Sequence, residues 1–247
     1  MKAFEFFSAK RQQFAQRAQA AFAQYKEAKK QRGMTLLEVI IVLGIIGTIA
    51  AGVVVLAQRA FDSRTLSEVV QTTNTIRVAM KDAYSNSGSY PDYKAEVLSL
   101  DNQTILTNKQ AGATATLVQL GKLSVSEARN KISGDFYAIG AASTTTGDGK
   151  TNKKGFAMEI NGLTSDQCRN ILTQVGNNWD YVAVGTSAAG TYSLSPSTAV
   201  DMAAASSTSG PVLRSLANNG TAAITPDVTV NVCSNAGASN SIILGSR

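Results

Sequence analysis

The sequence predicts an α+β fold: one long N-terminal α-helix set against an antiparallel β-sheet, its first half apolar and protruding, its second half amphipathic and packed on a head. Three observations carry this. Residues 39–58 form an apolar run without a charge. Past Arg59, Leu66, Val69, Val70, Thr73, Ile76, Met80, Ala83 and Tyr84 recur at three- and four-residue steps with no intervening Pro. Farther on, residues 155–160, 179–184, 227–233 and 241–244 read as short strands bounded by turn-forming residues.

The first element is a basic leader. All of the formal charge of +6 in this 247-residue chain lies in residues 1–33, where eight Lys/Arg (Lys2, Lys10, Arg11, Arg17, Lys26, Lys29, Lys30, Arg32) oppose Glu5 and Glu27. The remainder is neutral, so the overall basicity lends no support to a nucleic-acid partner. Residues 1–32 contain no Pro or Gly and space Phe4, Phe7, Phe14, Ala18, Phe22 and Tyr25 at roughly helical intervals. The segment reads either as an amphipathic helix able to lie on an anionic leaflet or as a solvated charged leader. In both cases its positive charges hold this end in the cytoplasm.

The run over 39–58 follows. At about 1.5 Å per residue its twenty or so residues span about 30 Å, the hydrocarbon thickness of a bilayer. An ordinary secretory signal places small residues after such a run, whereas here the junction Gly33–Met34 precedes it. Cleavage there leaves the apolar helix with the mature protein. Glu38 sits at the mouth of the run, where a carboxylate costs a few kcal/mol unless it is paired. A new α-amino group at Met34 would lie about 6 Å from it along a helix. That amine could neutralise the Glu38 of its own chain or of a neighbour.

The string Gly33-Met34-Thr35-Leu36-Leu37-Glu38-Val39-Ile40-Ile41-Val42-Leu43-Gly44 resembles the class III signal sequence of type IV pilins. The long leader and Met as first mature residue resemble the type IVb branch. The similarity continues through Ala57-Gln58-Arg59-Ala60, Gly155-Phe156-Ala157 and Gln167-Cys168-Arg169 to the late Cys233. These features are similar to the major pilins of the longus, colonization-factor-antigen-III and toxin-coregulated pili. The resemblance implies that prepilin peptidase recognises Gly33, that Met34 becomes the N-methylated first residue, and that Glu38 attracts the amine of an adjacent subunit. It further implies a helical homopolymer built by a pilus assembly machinery. The precursor would sit in the bacterial inner membrane and the product would be an extracellular filament for adhesion, bundling and host colonisation. The resemblance implies no particular host-surface receptor. A minor pilin of the same filament and a type II secretion pseudopilin share the N-terminal motif. The length and the cysteine pair count against the pseudopilin.

The expected organisation is a cleaved leader over 1–33, a transmembrane or filament-core half-helix over 34–58, and a globular head over 59–247. The long helix should end near Ser87-Gly88. Gly44, Thr48 and Gly52 fall four apart within its apolar half, a spacing that lets helices approach closely, though glycine is common in membrane helices anyway. Short helices are expected over 115–120 and 126–132, the second behind the capping pattern Ser124-x-x-Glu127. Thr144–Gly149 reads as an exposed turn. Thr164-x-x-Gln167 opens a helix that stops at Gly176. Residues 185–210 read as surface loop and Pro211 as the start of a short helix through Leu216. Contacts with host tissue are expected in the loops of 88–155 and 185–210.

Cys168 and Cys233 lie in the part that would be exported, where an even pair reads as a disulfide. No metal site and no cofactor are expected, because two thiols without any histidine cannot complete an ordinary structural zinc site. Catalysis is not expected either: the chain has no His, no Gly-rich phosphate loop and no nucleophile elbow.

Overall fold

The computed structural model describes residues 35–145 and 152–247. The leader over 1–32, the Gly33–Met34 junction and residues 146–149 of the expected turn lie outside the described residues. Two compact units are distinguished, Met1–Arg59 and Ala60–Arg247.

Helix α1 runs Leu36–Tyr84. In the first unit its apolar side chains are exposed all round, from Leu36 (79%) to Leu56 (68%). The Thr48 hydroxyl donates to the Ile45 carbonyl at 2.9 Å and so carries no unsatisfied donor into apolar surroundings. In the second unit α1 buries one face: Val69, Thr72, Thr73, Ile76, Ala79 and Met80. These three- and four-residue steps form a single stripe, which meets the sheet.

The sheet has the order β4-β1-β2-β6-β3-β5. Its strands are β1 (Ala138–Ser143), β2 (Gly155–Leu163), β3 (Tyr181–Thr186), β4 (Val200–Asp201), β5 (Val212–Arg214) and β6 (Asn240–Ser246). The last strand in sequence therefore lies in the middle, antiparallel to both β2 and β3. The expected α+β class holds. The sheet is antiparallel except at one edge, where β4 runs parallel to β1. Phe156, Met158 and Ile160 of β2 alternate into the main core with Ile242 and Leu244 of β6 and with Ile76 and Met80 of α1. Trp179, 1% exposed, packs edge-on to Phe156 in the same core.

Helices α2 (Thr104–Thr107), α3 (Gly112–Gln119), α4 (Ser165–Val175) and α5 (Pro226–Val232) complete the unit. The α4 start is the expected capping box: the Thr164 side chain accepts from the Gln167 amide, and the Gln167 side chain accepts from the Thr164 amide.

Several local expectations are corrected. Around 126–132 the Ser124–Glu127 capping bonds form, but only turns follow. Arg129 pairs with Phe136 in an isolated bridge, and Gly134 at φ +82° turns the chain back. Strand β1 was not legible because all its residues but Ile139 are small. Gly140 is required there: a Cβ on it would lie 2.6 Å from Tyr93 Cβ and 2.8 Å from the Tyr93 backbone nitrogen. Residues 227–233, expected as a strand, form α5 instead. Pro226 starts the helix, and Thr229 is 2% exposed while Val230 is 53% exposed, the inverse of what the alternation implied. After Pro211 comes edge strand β5 rather than a helix, since Val212–Arg214 finds an open edge of β3.

The segment over 185–210 is not simply a surface loop. Part of it covers the second face of the sheet, where Met202 (0% exposed) packs with Ala142, Ala157, Tyr181 and Ala183. Two side chains of β2 hold its first turn. Glu159, fully buried, accepts from the Ser187 hydroxyl (2.7 Å) and the amides of Ser193 (2.8 Å) and Leu194 (3.0 Å). Asn161, also fully buried, donates to the carbonyls of Ala188 (3.2 Å) and Thr191 (2.9 Å). A buried carboxylate without a cation is tolerable only when it is hydrogen-bonded in this way.

Candidate assembly site

Thr35 is the residue that starts α1. Its hydroxyl accepts from the Glu38 amide at 3.2 Å and its carbonyl accepts from the Val39 amide at 3.2 Å. This cap places Glu38 in the first helical turn, exposed, with apolar residues around it: Leu37 is 68% exposed, Val39 37% and Ile41 52%. A carboxylate in a first turn complements the positive end of the helix dipole. A cationic amine one residue before the cap would be repelled by that same dipole unless a carboxylate neutralised it. Chemically, then, the turn is an acceptor for an amine presented near the helix start. Gly33 and Met34, the other two residues singled out in the sequence, lie outside the described residues. The glycines of the apolar half leave open space: a Cβ on Gly44, Gly47 or Gly52 would meet nothing within 4 Å.

The structure joins Cys168 of α4 to Cys233 at the end of α5, with 5.8 Å between the Cα atoms. Both are fully buried. Neighbouring bonds hold the same corner. Arg169 Nη2 donates to the Cys233 carbonyl (3.3 Å), and Ser165 Oγ donates to that of Asn235 (3.1 Å). Asn240, at the start of β6, donates to the Leu163 and Asn235 carbonyls. The anchoring roles of Glu159, Asn161 and Asn240 were missed from sequence. A carboxylate or amide between apolar neighbours in a strand pattern, as in Met158-Glu159-Ile160-Asn161, was the available signal.

No cluster of three or more His, Cys, Asp or Glu that could hold a metal ion occurs among the described residues.

A family model described as toxin-coregulated pilus subunit TcpA matches residues 116–243, and one described as prokaryotic N-terminal methylation motif matches residues 28–54. The toxin coregulated pilin of Vibrio cholerae is 40% identical over 154 residues, which cover 62% of this chain and 62% of that protein. A second such pilin, from V. cholerae serotype O1, is 38% identical over the same length. The crystal structure of TcpA, a type IV pilin from the V. cholerae El Tor biotype, superposes with a TM-score of 0.56. That comparison covers 74% of this chain and 99% of the other at 22% identity, which establishes a shared fold. The chain belongs to the toxin-coregulated pilus subunit TcpA family. The family so described is one of structural subunits rather than enzymes.

Proposed function

We propose that the chain is the precursor of a major subunit of a type IVb pilus, with a leader over 1–33, a membrane and filament-core segment over 34–58 and a head over 59–247. Prepilin peptidase cuts between Gly33 and Met34, Met34 is N-methylated, and the mature subunit polymerises into an extracellular filament. The precursor waits in the inner membrane.

The observation that carries this reading is the first part of α1. It is apolar and exposed on every side, and it is long enough to cross a membrane by length and composition. So much exposed apolar surface must be covered, first by lipid and then by neighbouring helices. Family membership and the matched methylation motif support the same conclusion.

The mechanism follows from Glu38. In the membrane it lies near the interface, where its charge is tolerated. Among packed apolar helices an unpaired carboxylate costs several kcal/mol. The Met34 amine of a neighbouring subunit removes that cost only when the incoming helix stands at the matching height, so Glu38 sets register as well as charge balance. Glu38→Val separates this account from assembly by hydrophobic packing alone. The variant should be cleaved and stable in the inner membrane yet give few or no surface filaments. Wild-type numbers of pili from cells making only Glu38→Val would refute it.

A further inference from the structure

We infer that the stretch of α1 from Arg59 to Arg64 binds anionic phospholipid headgroups, with Arg59 and Arg64 pairing to lipid phosphates at the outer face of the inner membrane. The inference rests on the membrane reading above and adds to it the lipid class that the far interface selects.

The apolar run ends before Arg59, which stands twenty-one residues past Glu38. At about 1.5 Å per residue the two charges lie about 31 Å apart along α1, close to the hydrocarbon thickness of about 30 Å. With Glu38 at one interface, Arg59 reaches the other. The positive leader assigns the first interface to the cytoplasm, so Arg59 meets the exported side.

Nothing in the head covers this stretch. Phe61 is 67% exposed, and Arg59, Asp62, Ser63 and Arg64 are exposed as well. Burial of α1 begins only at Val69, five residues past Arg64. The hydroxyls of Thr65 and Ser67 turn back onto the helix, donating to the carbonyls of Phe61 and Ser63 at 2.9 Å. Two guanidiniums and the Asp62 carboxylate are left facing outward, and none of the three has an ion-pair partner among the described residues. Arg59 and Arg64 are about 7 Å apart along the axis, and a headgroup layer is about 5–7 Å deep, so one layer holds both.

The placement of these groups around the helix selects the occupant. At about 100° per residue Arg59 and Arg64 stand about 140° apart, with Phe61 beyond Arg64 and Asp62 beside Arg59. A docked protein covers one side of a helix, whereas headgroups surround it and can pair with both guanidiniums. The guanidinium fork matches phosphate oxygens and keeps its charge. The Cα–Cβ bond of Phe61 leans toward the helix N-terminus, back over the hydrocarbon edge, while the long arginine stems reach outward. Two guanidiniums against one carboxylate leave the stretch net positive, which favours anionic over zwitterionic lipid.

The test uses the full chain reconstituted in vesicles of phosphatidylcholine and phosphatidylglycerol in equal parts. A photoactivatable benzophenone side chain in place of Ala60 captures what lies beside it, and mass spectrometry identifies the adducts. Phosphatidylglycerol adducts should outnumber phosphatidylcholine adducts about fivefold, the effect of one net charge near a membrane surface. Arg59→Gln with Arg64→Gln should bring the ratio to one or below. Arg59→Lys with Arg64→Lys should keep most of the preference, and Trp179 emission should stay unchanged in both pairs. An even ratio from the unaltered chain, an undiminished ratio from the Gln pair, or a ratio from the Lys pair as low as that of the Gln pair would overturn the inference. So would capture of protein and no lipid when the same chain is irradiated in whole cells. A chain that fails to enter the vesicles would sink the membrane reading and this inference with it, whereas entry with an even ratio sinks the inference alone.

Discussion

Replacing both Cys168 and Cys233 by Ala tests what holds the C-terminal corner of the head. The bridge closes a sequence separation of 65 residues. In the chain-entropy account, releasing a loop of this length from the unfolded state costs about 4 kcal/mol. What remains is the Arg169 bond to the Cys233 carbonyl, the Ser165 and Asn240 bonds to the Asn235 carbonyl, and the packing of α5 on α4. Hydrogen bonds of this kind contribute about 1 kcal/mol each and cannot substitute for the bridge. Trp179 is a convenient reporter, because it is the one tryptophan in the chain and is 1% exposed. Urea unfolding of the mature protein in detergent should show its emission shifting to the red as the core opens. At a slope of about 2 kcal/mol per M, the midpoint of the double variant should fall by about 2 M. A fall of less than about 0.5 M would show that the hydrogen bonds and packing suffice and that the reasoning is wrong.

Other outcomes follow from single contacts. Burial, and secondarily the Asp201 charge, push the Tyr181 phenol up to about 12 from 10.0. Its stabilising contribution is therefore fully present below pH 10 and is lost as pH rises from 10 to 12, a change of about 2.7 kcal/mol. The fall in urea midpoint between pH 9 and pH 12 should be smaller in Tyr181→Phe by about 1.4 M, at about 2 kcal/mol per M, and an equal fall in both proteins would contradict the assignment. Gly140→Ala drives a methyl into the Tyr93 backbone and should lower stability by about 1–3 kcal/mol, read as a drop in melting temperature. Gly33→Glu should leave uncut precursor in the inner membrane; normal-sized, N-methylated product by mass spectrometry would refute the processing site.

The disulfide, the long helix and the α4 capping box were legible because each depends on residues close in sequence or on simple parity. Apolar residues at helical steps from Leu66 to Tyr84 specify one buried face whatever that face meets. The exposed apolar half and Glu38 at its mouth were equally plain, since a run of that length has few other uses. Strand β1 left no signal, because five of its six residues are small and the constraint on Gly140 comes from Tyr93, more than forty residues away. The order of the sheet was not legible either: β6 pairs with β2 and β3 across long separations, and the pattern of Asn240–Ser246 does not say which partners it will take.

By itself, then, the sequence determined an apolar helix with a carboxylate at its start, the amphipathic continuation of that helix and a cysteine pair. These are properties of local period and composition. Only the tertiary structure decided that Asp227–Val232 coils into a helix, that Val212–Arg214 extends, and that Met202 seals the second face of the sheet. The physical reason is that intrinsic preferences in such short segments amount to about 1 kcal/mol or less per residue, so an open strand edge or a buried pocket elsewhere in the chain outweighs them.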